Sequence, residues 1–211
     1  MFMKPSSVTT KIAMALSGAV LSGWVMLHMA GNLLVFLGPE LINEYGRVLQ
    51  GSPLIWLMRV GLSLTLIVHL IGAAALTRRA RRARARYRRG LKPQISTVSS
   101  RSMRWGGLAV GLFLVYHLAH IFGPAHTNFI AGDVHHNLVA GLADPLAGGF
   151  YIAATIVFGL HLHHGTWSLF RTLGHEGRFE TGVRRGTSAF SAVVTVGFLA
   201  PCVAALAGWL G

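Results

Sequence analysis

Residues 54–90 read LIWLMRVGLSLTLIVHLIGAAALTRRARRARARYRRG. Twenty-odd apolar residues, broken by Arg59 and His69, run into a block of arginines. A helix rising 1.5 Å per residue needs about 20 apolar residues to cross a bilayer. The first part of this stretch is that long, and the second is the basic stop expected at a cytoplasmic membrane face. The stretch therefore predicts a transmembrane helix, and the rest of the chain can be read outward from it.

Four more stretches have the same character. The five predicted spans are about 12–37, 54–77, 104–123, 146–171 and 187–210, forming a single domain over 1–211. The first is longer than the apolar core of a cleaved leader and lacks a small-residue cleavage site after it, so it reads as a true span. Pro53, Pro124 and Pro145 stand at span edges, where helices start or stop. Pro201 falls inside the fifth span, a position membrane helices tolerate. Composition agrees: 53% of the 211 residues are hydrophobic and 12% charged, against about 25% charged in soluble domains. The apolar excess excludes disorder, and the lone Cys202 excludes a disulfide scaffold.

A net charge of +13 would point to nucleic acid in a soluble protein, but its distribution says otherwise. Lys4 and Lys11, eleven residues in a basic loop over 78–104, and Arg171, Arg178, Arg184 and Arg185 place 17 of the 19 basic residues on one side. Arg47 and Arg59 fall on the other, with Glu40, Glu44, Asp133 and Asp144. The positive-inside rule then puts the N-terminus in the cytoplasm. The arginine run has little aromatic interleaving and no folded module around it, which argues against nucleic acid. It reads as the stop-transfer extension of helix two, attractive to anionic lipid or to an acidic peripheral subunit.

Eleven histidines are the second signal. His28, His69, His117 and His161 fall on spans one to four, and span five has none. Ionisable groups inside hydrocarbon are costly and tend to be functional. Counting from the basic ends, His28 lies about 24 Å deep and His117 about 20 Å; His69 and His161 lie about 14 and 15 Å deep. The four therefore fall into an outer pair and an inner pair. Two stacked bis-histidine pairs are what two b-type haems require, with both axial positions filled and electron transfer as the role. Gly31, Gly72 and Gly165, one turn from a histidine, would let a flat ring approach. A competing reading is a metal transporter, because HLHHG from His161 and the pair His135–His136 suit zinc-like ions. The spans lack the Asp and Glu partners such a path needs. The plainest alternative is a set of hydrogen-bonded interior histidines.

Five motifs carry a family resemblance: MLHMAGN around His28, LIVHLIG around His69, R-x-G-G from Arg104, LVYHLAH around His117, and GLHLHHGTWSLF around His161. In their order and spacing the chain resembles the single-subunit, five-helix, di-haem cytochrome b membrane anchor of succinate dehydrogenases and fumarate reductases. The resemblance implies an all-α bundle whose first four spans form a di-haem core in a bacterial cytoplasmic (inner) membrane. It implies two haem b, with His69 and His161 on the cytoplasmic one and His28 and His117 on the distal one. It also implies a flavoprotein subunit with FAD, an iron–sulfur subunit with its clusters, and membrane quinone (menaquinone or ubiquinone) as substrate. The chain would then be the electron-transfer anchor of a succinate:quinone oxidoreductase and would not itself bind succinate. Direction, and an anchor role for another dehydrogenase, stay open. Arg104, His120, His164 and Arg59 are candidate contacts to haem propionates or quinone. His120 and His164 each lie one turn from a candidate ligand, and only the motif favours His161 over His163 and His164.

Overall fold

The computed structural model describes residues 6–86, 98–123, 125–174 and 180–210, with side chains at 84–86 and 98–102 outside the description. Lys4, Arg88, Arg89, Lys92, Pro124 and Arg178 lie outside the described residues, as do the side chains of Arg84, Arg86 and Arg101. Every regular element among the described residues is helical. In chain order these are α1 (Ser7–Asn32), a 3-10 turn (Leu33–Leu37), α2 (Pro39–Gly51), α3 (Leu54–Arg86), α4 (Val98–Ile121), α5 (Val134–Ala143), α6 (Pro145–Thr172) and α7 (Glu180–Leu206).

The helix ends follow local chemistry. Ser6 caps α1 by accepting from the Thr9 N–H, and Asp144 caps α6 by accepting from Ala147. Pro145 and Pro39 open their helices, where no N–H is needed. Gly38 turns the chain between the 3-10 turn and α2 with a φ of 105°, a conformation a side chain would strain. The 33 residues of α3 span about 50 Å. That exceeds a hydrocarbon core of about 30 Å, so the helix carries Arg78 to Arg82 beyond its apolar part.

Four helices are long and apolar enough to cross a bilayer, over Ser7–Leu37, Leu54–Ala83, Pro145–Thr172 and Glu180–Leu206. They mark the chain as a membrane protein and match four of the five predicted spans. The remaining stretch folds as α4, in which Arg104, His117, His120 and three glycines dilute the apolar residues. Its outward face is nevertheless Leu108, Leu112, Val115 and Phe122.

Helix α6 is the hub, packed on α1, α4, α5 and α7, while α1 also packs on α3 and α7. Small residues permit this closeness. A Cβ at Gly159 would run into Thr195, and one at Gly197 into Met29. The tightest apolar packing gathers Met29, Leu162 and Val194 with Phe158, Phe190 and Phe198. A second cluster joins Leu142, Cys202 and Ala205 to Tyr151 and Ile152. Both clusters draw on α7, the span without histidine. The expected four-helix core thus leans on a fifth helix that supplies its best-buried residue, Val194.

Helices α2 and α5 occupy connections that the sequence reading left without structure. They lie against each other, with Gly46 facing Val134. The Asn43 amide donates to Asp133 at 3.1 Å and its carbonyl accepts from the His135 N–H at 2.8 Å. Asp133 also accepts from the His136 N–H and so caps α5.

Candidate functional site

The four span histidines each sit on a different helix, and the structure brings them together in pairs. His28 on α1 and His117 on α4 face one another, ring centroids 5.9 Å apart and planes 75° apart. His69 on α3 lies against Gly18 of α1, and His161 on α6 lies against Gly107 of α4. His28 and His117 are one of the two pairs that helix-rise depths predict. Imidazole nitrogens bind metals at about 2 Å, so two rings bonded to opposite sides of one ion have centroids roughly 6 Å apart. The outer pair has that spacing.

The partners of each ring differ. His117 Nδ1 lies 3.1 Å from the Tyr151 hydroxyl. His69 Nδ1 lies 3.3 Å from Ser17 Oγ, whose own proton goes to the Met14 carbonyl at 3.0 Å. With the Ser17 proton on that carbonyl, Ser17 Oγ is an acceptor for a His69 Nδ1–H. His28 Nε2 lies 3.4 Å from the Asn32 amide, too long for a strong bond. His161 Nδ1 is buried without a hydrogen-bond partner, an arrangement costly enough to need a reason.

Glycines admit the rings, but they are not the ones the sequence spacing suggested. A Cβ at Gly31 would meet Tyr45, one at Gly72 would meet Met14, and one at Gly165 would meet nothing. Gly18 on α1 faces His69 instead, and Gly107 on α4 faces His161: a Cβ at each would come to 3.4 and 3.3 Å, respectively, from the ring Cε1 atoms. The reason is tertiary: a ring extends from its own helix and needs room on the neighbour. Gly107 belongs to the R-x-G-G motif; Gly18 and Ser17 lie ten and eleven residues before His28. Three helical turns put them on the same stripe of α1 at the level of the inner pair.

His120 is buried and fully engaged. Its Nδ1 is 2.9 Å from the Tyr151 hydroxyl, and its ring lies between those of Tyr116 and His126. A Cβ at Gly141 would strike both His120 and His126, so that glycine lets α5 lie on them. His126 has both nitrogens occupied, Nε2–H donating to the Asn137 carbonyl and Nδ1 accepting from the Asn128 N–H. His136 donates from Nε2 to the Asn128 carbonyl. His135 and His136 thus belong to the first turn of α5 and its contacts. His163 turns to Ser191 on α7 at 3.4 Å, away from His69. His164 is half-buried and has an interaction of its own. Arg104 is exposed. The Arg59 guanidinium lies over its own helix's Trp56, 5.1 Å from the ring centroid, and Trp56 faces outward. Among the described residues, no group of three or more His, Cys, Asp or Glu side chains stands together to hold a metal ion.

The Asp133 carboxyl is held below the usual carboxylate range, first by the His136 N–H and then by the Asn43 amide. A carboxylate depressed in the folded state stabilises above its unfolded pKa, about 3.9, and loses that contribution as pH falls further. Acidification below about pH 4 should therefore loosen α5 from α2. Asp133→Ala should do the same at neutral pH, costing about 1 kcal/mol for the lost cap. Hydrogen exchange at the His135 and His136 amides measures this, and unchanged protection in the variant would refute the clasp.

No protein family, curated protein or solved structure matches the chain.

Proposed function

We propose that the chain is a five-span, di-haem cytochrome b: the membrane anchor and electron-transfer subunit of a succinate:quinone oxidoreductase. The observation that carries this reading is the pair His28 and His117, facing rings from two helices at the spacing of a shared metal. The inner pair adds weight, since His69 Nδ1 has Ser17 as a hydrogen-bonding neighbour and each of the two rings lies against a glycine of a neighbouring helix.

Bound between two imidazoles, haem supplies one-electron transfer without an open site for oxygen. The chain's part is to fix two ring pairs at two heights in hydrocarbon about 30 Å thick, so that electrons cross in short hops. Helix α4 then makes the fifth crossing, its lipid face formed by Leu108, Leu112 and Val115. The skew of basic residues supports an N-terminus in the cytoplasm, and the family resemblance supports a bacterial inner membrane. The motifs around the histidines support a flavoprotein and an iron–sulfur subunit as partners and quinone as the membrane substrate. The same motifs serve fumarate reductases, so assay in both directions decides the physiological one.

The test is a count of haem per polypeptide, with dithionite-reduced spectra, on the protein purified with its partner subunits. A ratio near two is expected. A ratio of one or none overturns the reading.

A further inference from the structure

Tyr151, on α6, stands between two histidines of α4. Its hydroxyl is 3.1 Å from His117 Nδ1 and 2.9 Å from His120 Nδ1. One hydroxyl has a single proton and two lone pairs, so at least one of these rings must donate to it. His117 has a second demand on it, because its ring faces His28. The arrangement that serves both demands has His117 Nδ1–H donating to Tyr151 and the Tyr151 O–H donating to His120. His117 is then the tautomer whose Nε2 carries a lone pair.

We propose that Tyr151 is the positioning residue of His117, fixing its tautomer and ring orientation for metal binding; this rests on the haem reading above. Ligating histidines generally donate their other ring N–H to such a partner, which raises ligand basicity. Among the four rings, His117 has the shortest contact of this kind, against 3.3 Å for His69 to Ser17 and none for His161 Nδ1. The tyrosine is itself well held. Its ring meets Phe113 edge-on at 5.1 Å and Tyr116 at 6.0 Å, and it packs on Leu142 and Cys202. His120, sandwiched between Tyr116 and His126, fixes where the hydroxyl proton points. The chain thus orients His117 through a tyrosine on one helix and a buried histidine one turn away on its own.

The experiment is Tyr151→Phe in the complete complex, which removes the hydroxyl and keeps the ring contacts. Two haems per chain are expected to remain. Losing the hydrogen bond makes His117 a weaker donor to the oxidised metal, so the outer haem's midpoint potential should rise. A tenfold change in relative affinity corresponds to about 59 mV for one electron, and the rise should lie within that, with the inner haem unmoved. Two haems with both potentials unchanged would overturn the assignment and leave the haem reading standing. Wild-type complex with fewer than two haems would overturn the haem reading itself. A second measurement does not depend on the variant's folding: nitrogen-15 spectra of ring-labelled histidine in the wild-type chain free of haem. The proton of His117 is expected on Nδ1, and finding it on Nε2 overturns the assignment.

Discussion

His117→Ala should lower the haem content from two per chain to one, and His28→Ala should do the same. In the proposed reading each ring of the outer pair, in contact at 5.9 Å between centroids, would hold one face of the same haem, and truncation of either would leave the other without its counterpart. The inner pair, on α3 and α6, makes its contacts through Ser17, Gly18 and Gly107 and should keep its spectrum. His120→Ala is the informative control. His120 lies one turn from His117 and satisfies the same spacing argument, but its ring is enclosed by Tyr116, His126 and Tyr151. That variant should retain both haems. Redox-difference spectra with haem quantified against protein separate the outcomes. If His120→Ala lost a haem while His117→Ala kept two, the outer site would be misassigned by a turn.

The largest effect on stability should come from Gly148→Ala. A Cβ there would collide with the Leu142 backbone carbonyl and come within 2.9 Å of Leu206. The carbonyl cannot rotate away as a side chain could, because the chain turns at once through the Asp144 cap into α6. The corner between α5 and α6 must open, and with it the cluster of Leu142, Cys202 and Ala205. Overpacking of this kind costs about 1–3 kcal/mol, occasionally more. Gly165→Ala is the matched comparison within the same helix. Its Cβ would meet nothing within 4 Å, and alanine is favoured over glycine in a helix by about 1 kcal/mol. Thermal unfolding in detergent should show the first variant clearly destabilised and the second equal to or better than the parent. Equal stability for both would mean that α5 does not sit on α6 as described.

Much of this was legible in the sequence for physical reasons. Apolar runs of span length and a one-sided distribution of arginine are local properties, and they located α1, α3, α6 and α7. The helix rise is constant, so counting residues from the basic ends paired His28 with His117 and His69 with His161. What a count along one helix cannot tell is which neighbour a face meets. Gly31, Gly72 and Gly165 were sensible by spacing, yet the rings rest on Gly18 and Gly107 across the helix gaps. Tyr151 was not singled out by spacing at all, because its partners His117 and His120 lie on another helix. Helix α2 was readable in principle from Pro39, Glu40 in the first turn and the buried Ile42. It is too short to span a bilayer, and a search for spans passes over it. Helix α7 carries no histidine, so the pattern that marks the other spans does not announce that Val194 completes the core.

The clasp between α2 and α5 bears on how the protein is made. Asn43 and Asp133 are separated by 90 positions in the chain. At a synthesis rate of about 5–20 residues per second, Asn43 emerges roughly 5–20 s before its partner exists. During that interval α1 and α3, near neighbours that pack on each other, can associate, while the segment between them has no partner to latch onto. Synthesis order therefore allows the first hairpin to form early, with the α2–α5 clasp closing only once the second half has arrived.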